Sequence, residues 1–226
     1  MRTALQGINI DPERLVKQFN QIQTYERILA KRVSLSLFKP RPVSVWEVLI
    51  PVLFVFNHIE LKQKRELFIL NILFTKQLAL DAALDMVKDG RSKQEVQDDV
   101  EVKTKKVLAS DTQNVYSESI RQCQHREIAL LIDHYQMLFH TKGMNYIEMV
   151  IHAYPLLEAY MDFLTRLKAL EKDVSDAAQK ILGLKTDVDM LNRIESTLET
   201  LRITEAQKIY EHKSMGQSLD TGSSPA

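Results

Sequence analysis

The chain of 226 residues carries 30 Lys/Arg and 30 Asp/Glu, and this neutrality argues against a general nucleic-acid binder, whose electrostatic footprint is basic. One cysteine, Cys123, excludes an intrachain disulfide and fits a reducing compartment. Six glycines, about 3% against a usual ~7%, with abundant Leu, Lys, Glu, Gln and Ala, point to an all-α fold.

The first ten residues lack the apolar core of a secretory signal, so the expected location is the cytoplasm. Asp11-Pro12-Glu13 then opens a helix: a capping carboxylate, a proline at the first helical position, and an acid near the positive end of the dipole. Leu15, Phe19, Ile22, Leu29 and Val33 form its apolar stripe up to about Leu37. Glu26 interrupts that stripe where an apolar residue is due.

Residues 43–56 are the most apolar window. Ser44 and Glu47 have capping-box spacing, Val43 and Val48 staple spacing, and between Val45 and Phe56 only Glu47 is polar. Pro51 should kink this helix, and twelve residues, about 18 Å, cannot cross a ~30 Å hydrocarbon layer. A second apolar block, 67–74, follows. Trp46, Val48, Leu49, Leu53, Phe54 and Phe56, with Leu67, Phe68, Leu70 and Phe74, must be hidden in the core, against a partner or against a membrane surface. Basic flanks (Lys39 and Arg41; Lys62, Lys64 and Arg65) and a boundary tryptophan suit a membrane surface. An interfacial helix keeps a polar face, however, and this one has almost none, so core is preferred.

The helical region is expected to run on to about Lys88 and stop at Asp89-Gly90, with Leu78, Ala79, Ala82, Ala83 and Met86 as a small-residue stripe for close packing. Ser92 and Glu95 form a second capping box, opening a charged helix with Val96, Val100 and Val107 on one side. Ser110-Asp111-Thr112 ends it. Another helix is expected from about Gln113 to Thr141, and Asn145 with Glu148 caps a further one that contains Pro155.

The C-terminal third has the cleanest period. Leu156, Tyr160, Phe163, Leu167, Leu170, Val174, Ala177, Ile181, Leu184, Val188 and Leu191 alternate in steps of four and three, the coiled-coil pattern, and define a seam for self-association or a partner helix. Ile194, Leu198 and Leu201 continue it only after a phase slip. Gly183-Leu184 followed by Thr186 to Asp189 also reads as a turn and a fresh cap, but the unbroken phase favours one continuous helix. Beyond residue 212 the chain is small and polar, a disordered tail.

The expected organisation is therefore an N-terminal arm (1–10), a multi-helix bundle (11–143), a long coiled-coil-like helix (144–212) and the tail (213–226). The ends are oppositely charged, with eight Lys/Arg against three Asp/Glu in residues 1–44 and nine against thirteen in 144–226, which favours contact between them.

Chemistry is hard to find. No Glu-x-x-His, H-x-x-x-H or H-E-x-x-H occurs, and Glu148/His152 and Asp133/His140 read as surface or cap pairs. No glycine-rich phosphate loop precedes the tail, and no nucleophile elbow is present. Lys62-Gln-Lys-Arg65 and Lys103-Thr-Lys-Lys106 lack interleaved aromatics and read as solvated faces. The expectation is thus no catalytic, cofactor or metal residue. It is a helical scaffold or adaptor acting through helix–helix association with a partner helix or another copy. The alternative is a peripheral membrane protein using 43–74, with a metal-binding or other helical-bundle enzyme a distant third.

Overall fold

A computed structural model describes residues 11–37, 61–111, 116–182 and 188–220. Among them are seven helices and no strand: α1 (Pro12–Leu37), α2 (Leu61–Asp89), α3 (Lys93–Ser110), α4 (Glu118–Phe139), α5 (Tyr146–Ala153), α6 (Leu157–Leu182) and α7 (Val188–Asp220). No described helix is long and apolar enough to cross a membrane. Trp46, Val48, Leu49, Leu53, Phe54 and Phe56, with the Ser44 capping box, lie outside the described residues, as do the side chains of Leu67, Ile181, Leu184 and Val188.

Local chemistry sets the helix ends. The Glu13 amide donates to Asp11 Oδ1 at 3.1 Å, starting α1 at Pro12. Ser92 and Glu95 close a full capping box on α3. Gly90, at φ 67°, supplies the left-handed residue that ends α2, a conformation costly for any side chain. Two boundaries differ from expectation. α4 begins at Glu118 rather than near Gln113, because Ser117 is its cap and accepts from the Ile120 amide. α5 does not contain Pro155 but ends at Ala153, two residues before it. The residue preceding a proline is pushed out of helical angles, and Tyr154 adopts φ −125°, ψ 88°.

α4 is the central helix. It packs against α1, α2, α3, α5 and α6, and Ile120, Ile128, Leu131, Ile132, Tyr135, Leu138 and Phe139 along it are all buried. The small-residue stripe of α2 does what small residues permit: Ala79, Ala82 and Ala83 are buried in the same core, with Leu78 and Met86 packed at its margin.

The largest correction concerns the C-terminal third, which is not one helix. Tyr160, early in α6, meets Tyr210, late in α7, with ring centroids 6.4 Å apart, while Glu171 further along α6 meets Arg202 earlier in α7. The two helices, α6 and α7, therefore run antiparallel. The apparent phase slip beyond Leu191 follows from this, since Ile194, Leu198 and Leu201 face a different set of neighbours: Val33, Leu37 and Phe68. α7 also continues to Asp220, beyond the residue 212 limit, because a polar segment free of proline can extend a helix that is already nucleated. The opposite charges of the two ends meet, with Glu205 of α7 pairing with Arg32 of α1.

One turn is tightly specified. Gln18 Nε2 of α1 donates to the carbonyls of Thr141 (3.1 Å) and Gly143 (2.9 Å), tying down the α4–α5 connection. A Cβ on Gly143 would lie 2.5 Å from the Met149 amide nitrogen, a backbone atom that cannot swing away. Gly143→Ala is therefore expected to cost about 2–4 kcal/mol in urea denaturation, a core-scale loss from a single methyl group.

Candidate functional site: a cleft with a charged floor

Five ionisable side chains from five helices converge where apolar residues would ordinarily sit. From α1, Glu26 (6% exposed) replaces an expected member of the apolar stripe. From α2, Lys76 (4% exposed) places Nζ 3.1 Å from Glu26 Oε2, and from α4 the Tyr135 hydroxyl donates to Glu26 Oε1 at 2.8 Å. From α7, Arg202 forks onto Glu171 of α6 through two hydrogen bonds of 2.5 and 2.7 Å. A bidentate, charge-assisted pair of this kind is among the strongest side-chain contacts. It holds the Glu171 carboxyl below its ordinary range despite the opposing effect of burial.

Glu127 of α4 is the fifth group, and it is left over. It is buried, and among the described residues nothing donates a hydrogen bond to its carboxyl. Two acids, Glu26 and Glu171, are matched by two cations, Lys76 and Arg202, so Glu127 is an acid without a partner charge of its own. Burial first, then the neighbouring Glu171, push its carboxyl up to about 8, with Lys76 and Arg202 opposing. At neutral pH it is mostly protonated. A raised carboxyl keeps its full contribution to stability below the unfolded value of ~4.3 and loses it as pH rises through the folded value. Glu127→Gln should therefore stabilise the protein by roughly 1–3 kcal/mol at pH 8, with the gain shrinking towards pH 4.5, as read from denaturation of both proteins across that range.

Glu127 lines a cleft of about 180 Å³ between α2, α4, α6 and α7. Its walls are Phe68, Ile72, Met161, Leu164, Ile194 and Leu198, its floor carries Gln124, Glu127, Glu171 and Arg202, and Thr165, Lys168 and Glu199 stand at its rim. At the rim Lys168 meets Glu199 at 2.6 Å, and Glu195 is a further acid lining the cleft. The result is an apolar cavity with a few convergent polar groups, the usual composition of a binding site.

On the far side of the ionic cluster, His134 lies in an aromatic layer. Its ring is stacked 4.1 Å from Phe163, and Nδ1 shares a 2.8 Å hydrogen bond with the Tyr154 hydroxyl. Tyr25 stacks on Tyr146 at 3.6 Å and donates to Glu205, and Tyr210 donates to the Tyr154 carbonyl. Burial, with Lys76 and Arg202 nearby, lowers His134 to about 3.

The seam residues of α6 turn inward. Tyr160, Phe163, Leu167 and Ala177 are buried, Leu170 and Val174 are half-buried against the cores, and Leu191 of α7 is buried. Leu156 lies before α6 and is 65% exposed, so it does not join them. Of the second apolar block, Phe68 is buried and Phe74 half-buried, but Leu70 is 57% exposed and is not core. Glu148 accepts from the Met144 amide at the start of α5 while His152 is exposed, and Asp133 pairs with Lys93, so neither acid–histidine pair converges. Among the described residues no three His, Cys, Asp or Glu side chains are grouped to hold a metal ion.

Glu26 was visible in the sequence as an interruption. Lys76, Glu127 and Arg202 were missed, although each carries the same signal: a charge at a helical step from apolar neighbours (Ile72 and Leu80; Leu131; Leu198 and Ile209). Comparison with known proteins finds no matching family model, no similar curated protein and no similar solved structure.

Proposed function

We propose that this protein is a non-catalytic helical adaptor on which a helix of a partner protein docks across the mouth of the cleft between α2, α4, α6 and α7. The observation that supports it is the contrast between two apolar surfaces. The α6 seam, which carries the strongest association pattern in the sequence, is used inside the chain, whereas among the described residues nothing covers the cleft walls. A groove between helices that offers apolar walls suits the apolar face of an amphipathic helix, read as anchors at i, i+3, i+4 and i+7. Overall neutrality gives no support to a nucleic-acid partner.

Selection from a displayed library of 18-residue helical peptides tests this. Binders should share an apolar i, i+3/i+4, i+7 face. Thr165→Trp, which fills the cleft from an exposed rim position, should abolish their binding while leaving the circular dichroism melt unchanged. Val102→Trp, on the exposed face of α3, should not affect it. Binders indifferent to Thr165→Trp would refute the cleft as the docking surface.

A membrane-contact role for 43–74 is the second reading, supported by Leu70, which stands exposed on α2 one turn past Glu66. Salt-dependent co-sedimentation with anionic liposomes, lost in Leu70→Ser, is its expected signature.

A further inference from the structure

The adaptor reading leaves open what the cleft selects, and the charge arrangement of its floor supplies a chemistry. Three carboxyl groups and two cations share one buried cluster: Glu26 takes Lys76, Glu171 takes the Arg202 fork, and Glu127 takes no partner among the described residues. Glu127 also lines the open space, beside Glu171 and Arg202, which are already paired with each other. The groups that act on it come from every helix around it: Glu26 from α1, Lys76 from α2, Glu171 from α6 and Arg202 from α7. Both cations are already committed, so neither can turn to Glu127 without uncovering another acid. A single added cation would leave every charge in the cluster matched.

Size limits that cation. A volume of about 180 Å³ is close to that of an engineered cavity that admits one benzene-sized molecule, and far below the ~300–1,000 Å³ of drug-sized sites. A helix, ~10–12 Å across, lies over such an opening but does not enter it. What enters is one long side chain.

We propose that the cleft floor is a receptor for a primary ammonium on a short aliphatic stem, a lysine of the partner helix, whose ammonium pairs with Glu127 while its methylenes lie against Ile72, Leu164 and Ile194. The proton balance is simple. Glu127 is protonated in the empty cleft at neutral pH, and on arrival of the ammonium it gives that proton to the buffer and remains as carboxylate. This inference rests on the adaptor reading for the source of the lysine, but not for the chemistry of the floor, and the two are separable by experiment.

The probe is n-butylammonium, which is the lysine side chain alone, compared with n-butanol and butyrate in titration calorimetry on the full chain. The amine should bind at least ten-fold tighter than the alcohol, and butyrate not at all. Repeating the titration at pH 7 in buffers of different ionisation enthalpy should show close to one proton released per amine bound. In Glu127→Gln the amine and alcohol should bind within two-fold of each other with no proton release, while the melting temperature shows that the variant is folded. Equal binding of amine and alcohol by the native protein would overturn the receptor, as would an amine preference that survives Glu127→Gln. Binding that emerges only when residues 45–56 are replaced by a Gly-Ser linker would assign the cleft to this chain's own apolar segment and overturn the partner lysine. If the amine binds as expected but no library peptide does, the adaptor reading falls and the ammonium site stands.

Discussion

Arg202→Met should cost about 3–5 kcal/mol in urea denaturation at pH 7, the largest loss expected from any single charged side chain in this protein. The guanidinium is 6% exposed and is the only group hydrogen-bonded to both oxygens of Glu171 among the described residues. Its removal strands that carboxylate beside Glu127, in a cluster that already carries more acids than cations. The size of the effect measures the damage of an uncompensated charge, not the net worth of the pair, because desolvation offsets much of what the two ions gain from each other. The double replacement Arg202→Met with Glu171→Leu should therefore recover most of the loss. If the single change costs less than ~1 kcal/mol, water reaches the pair and the floor of the cleft is not a low-dielectric site.

Acid should unfold this protein through a histidine. His134 is lowered to about 3 by burial, and by Lys76 and Arg202, whereas an unfolded histidine titrates near ~6.5. The unfolded state thus binds the proton more readily, so the stability that depends on neutral His134 is complete above ~6.5 and is lost as pH falls from there towards 3. The total is roughly 3–5 kcal/mol, taken from the gap between the two values. His134→Phe keeps a ring between Phe163 and Tyr135 but leaves the Tyr154 hydroxyl without its 2.8 Å partner, so it should be about 1–2 kcal/mol less stable at pH 8. Below pH 5 the order should reverse, because the variant has no proton to take up. Parallel stability curves for the two proteins between pH 8 and pH 4 would show that His134 titrates as an ordinary solvated histidine.

The helical frame could be read from the chain because its signals are local. Asp11-Pro12-Glu13, the Ser92–Glu95 box and the Asn145–Glu148 cap each satisfy backbone groups within a few residues, and each marks an observed helix start. The reversal after α6 was harder to read. A heptad pattern says which face of a helix is buried but not against what, and both arms of an antiparallel hairpin carry the same period as one long coil. In the sequence Gly183 and Thr186 read as a turn and a fresh cap, while the unbroken period reads as one continuous helix. The cleft was least legible because it is an arrangement in space. Glu26, Lys76, Glu127, Glu171 and Arg202 span nearly the whole chain, and only the interruption at Glu26 stood out against its surroundings. Nothing in the sequence singles out Lys76 or Arg202, since a single sequence does not say which helix faces will meet.

That Glu127 is a buried, partnerless acid open to the cleft is the claim on which the rest depends, and its own titration tests it most directly. The carboxyl carbon of Glu127, assigned by its loss in Glu127→Gln and followed by ¹³C NMR, should titrate near 8 in the free protein. In saturating n-butylammonium the same signal should titrate within the ordinary carboxylate range, because the ammonium supplies the missing charge. A Glu127 that titrates near ~4.3 without any amine, or one that stays near 8 when the amine is present, would contradict the account.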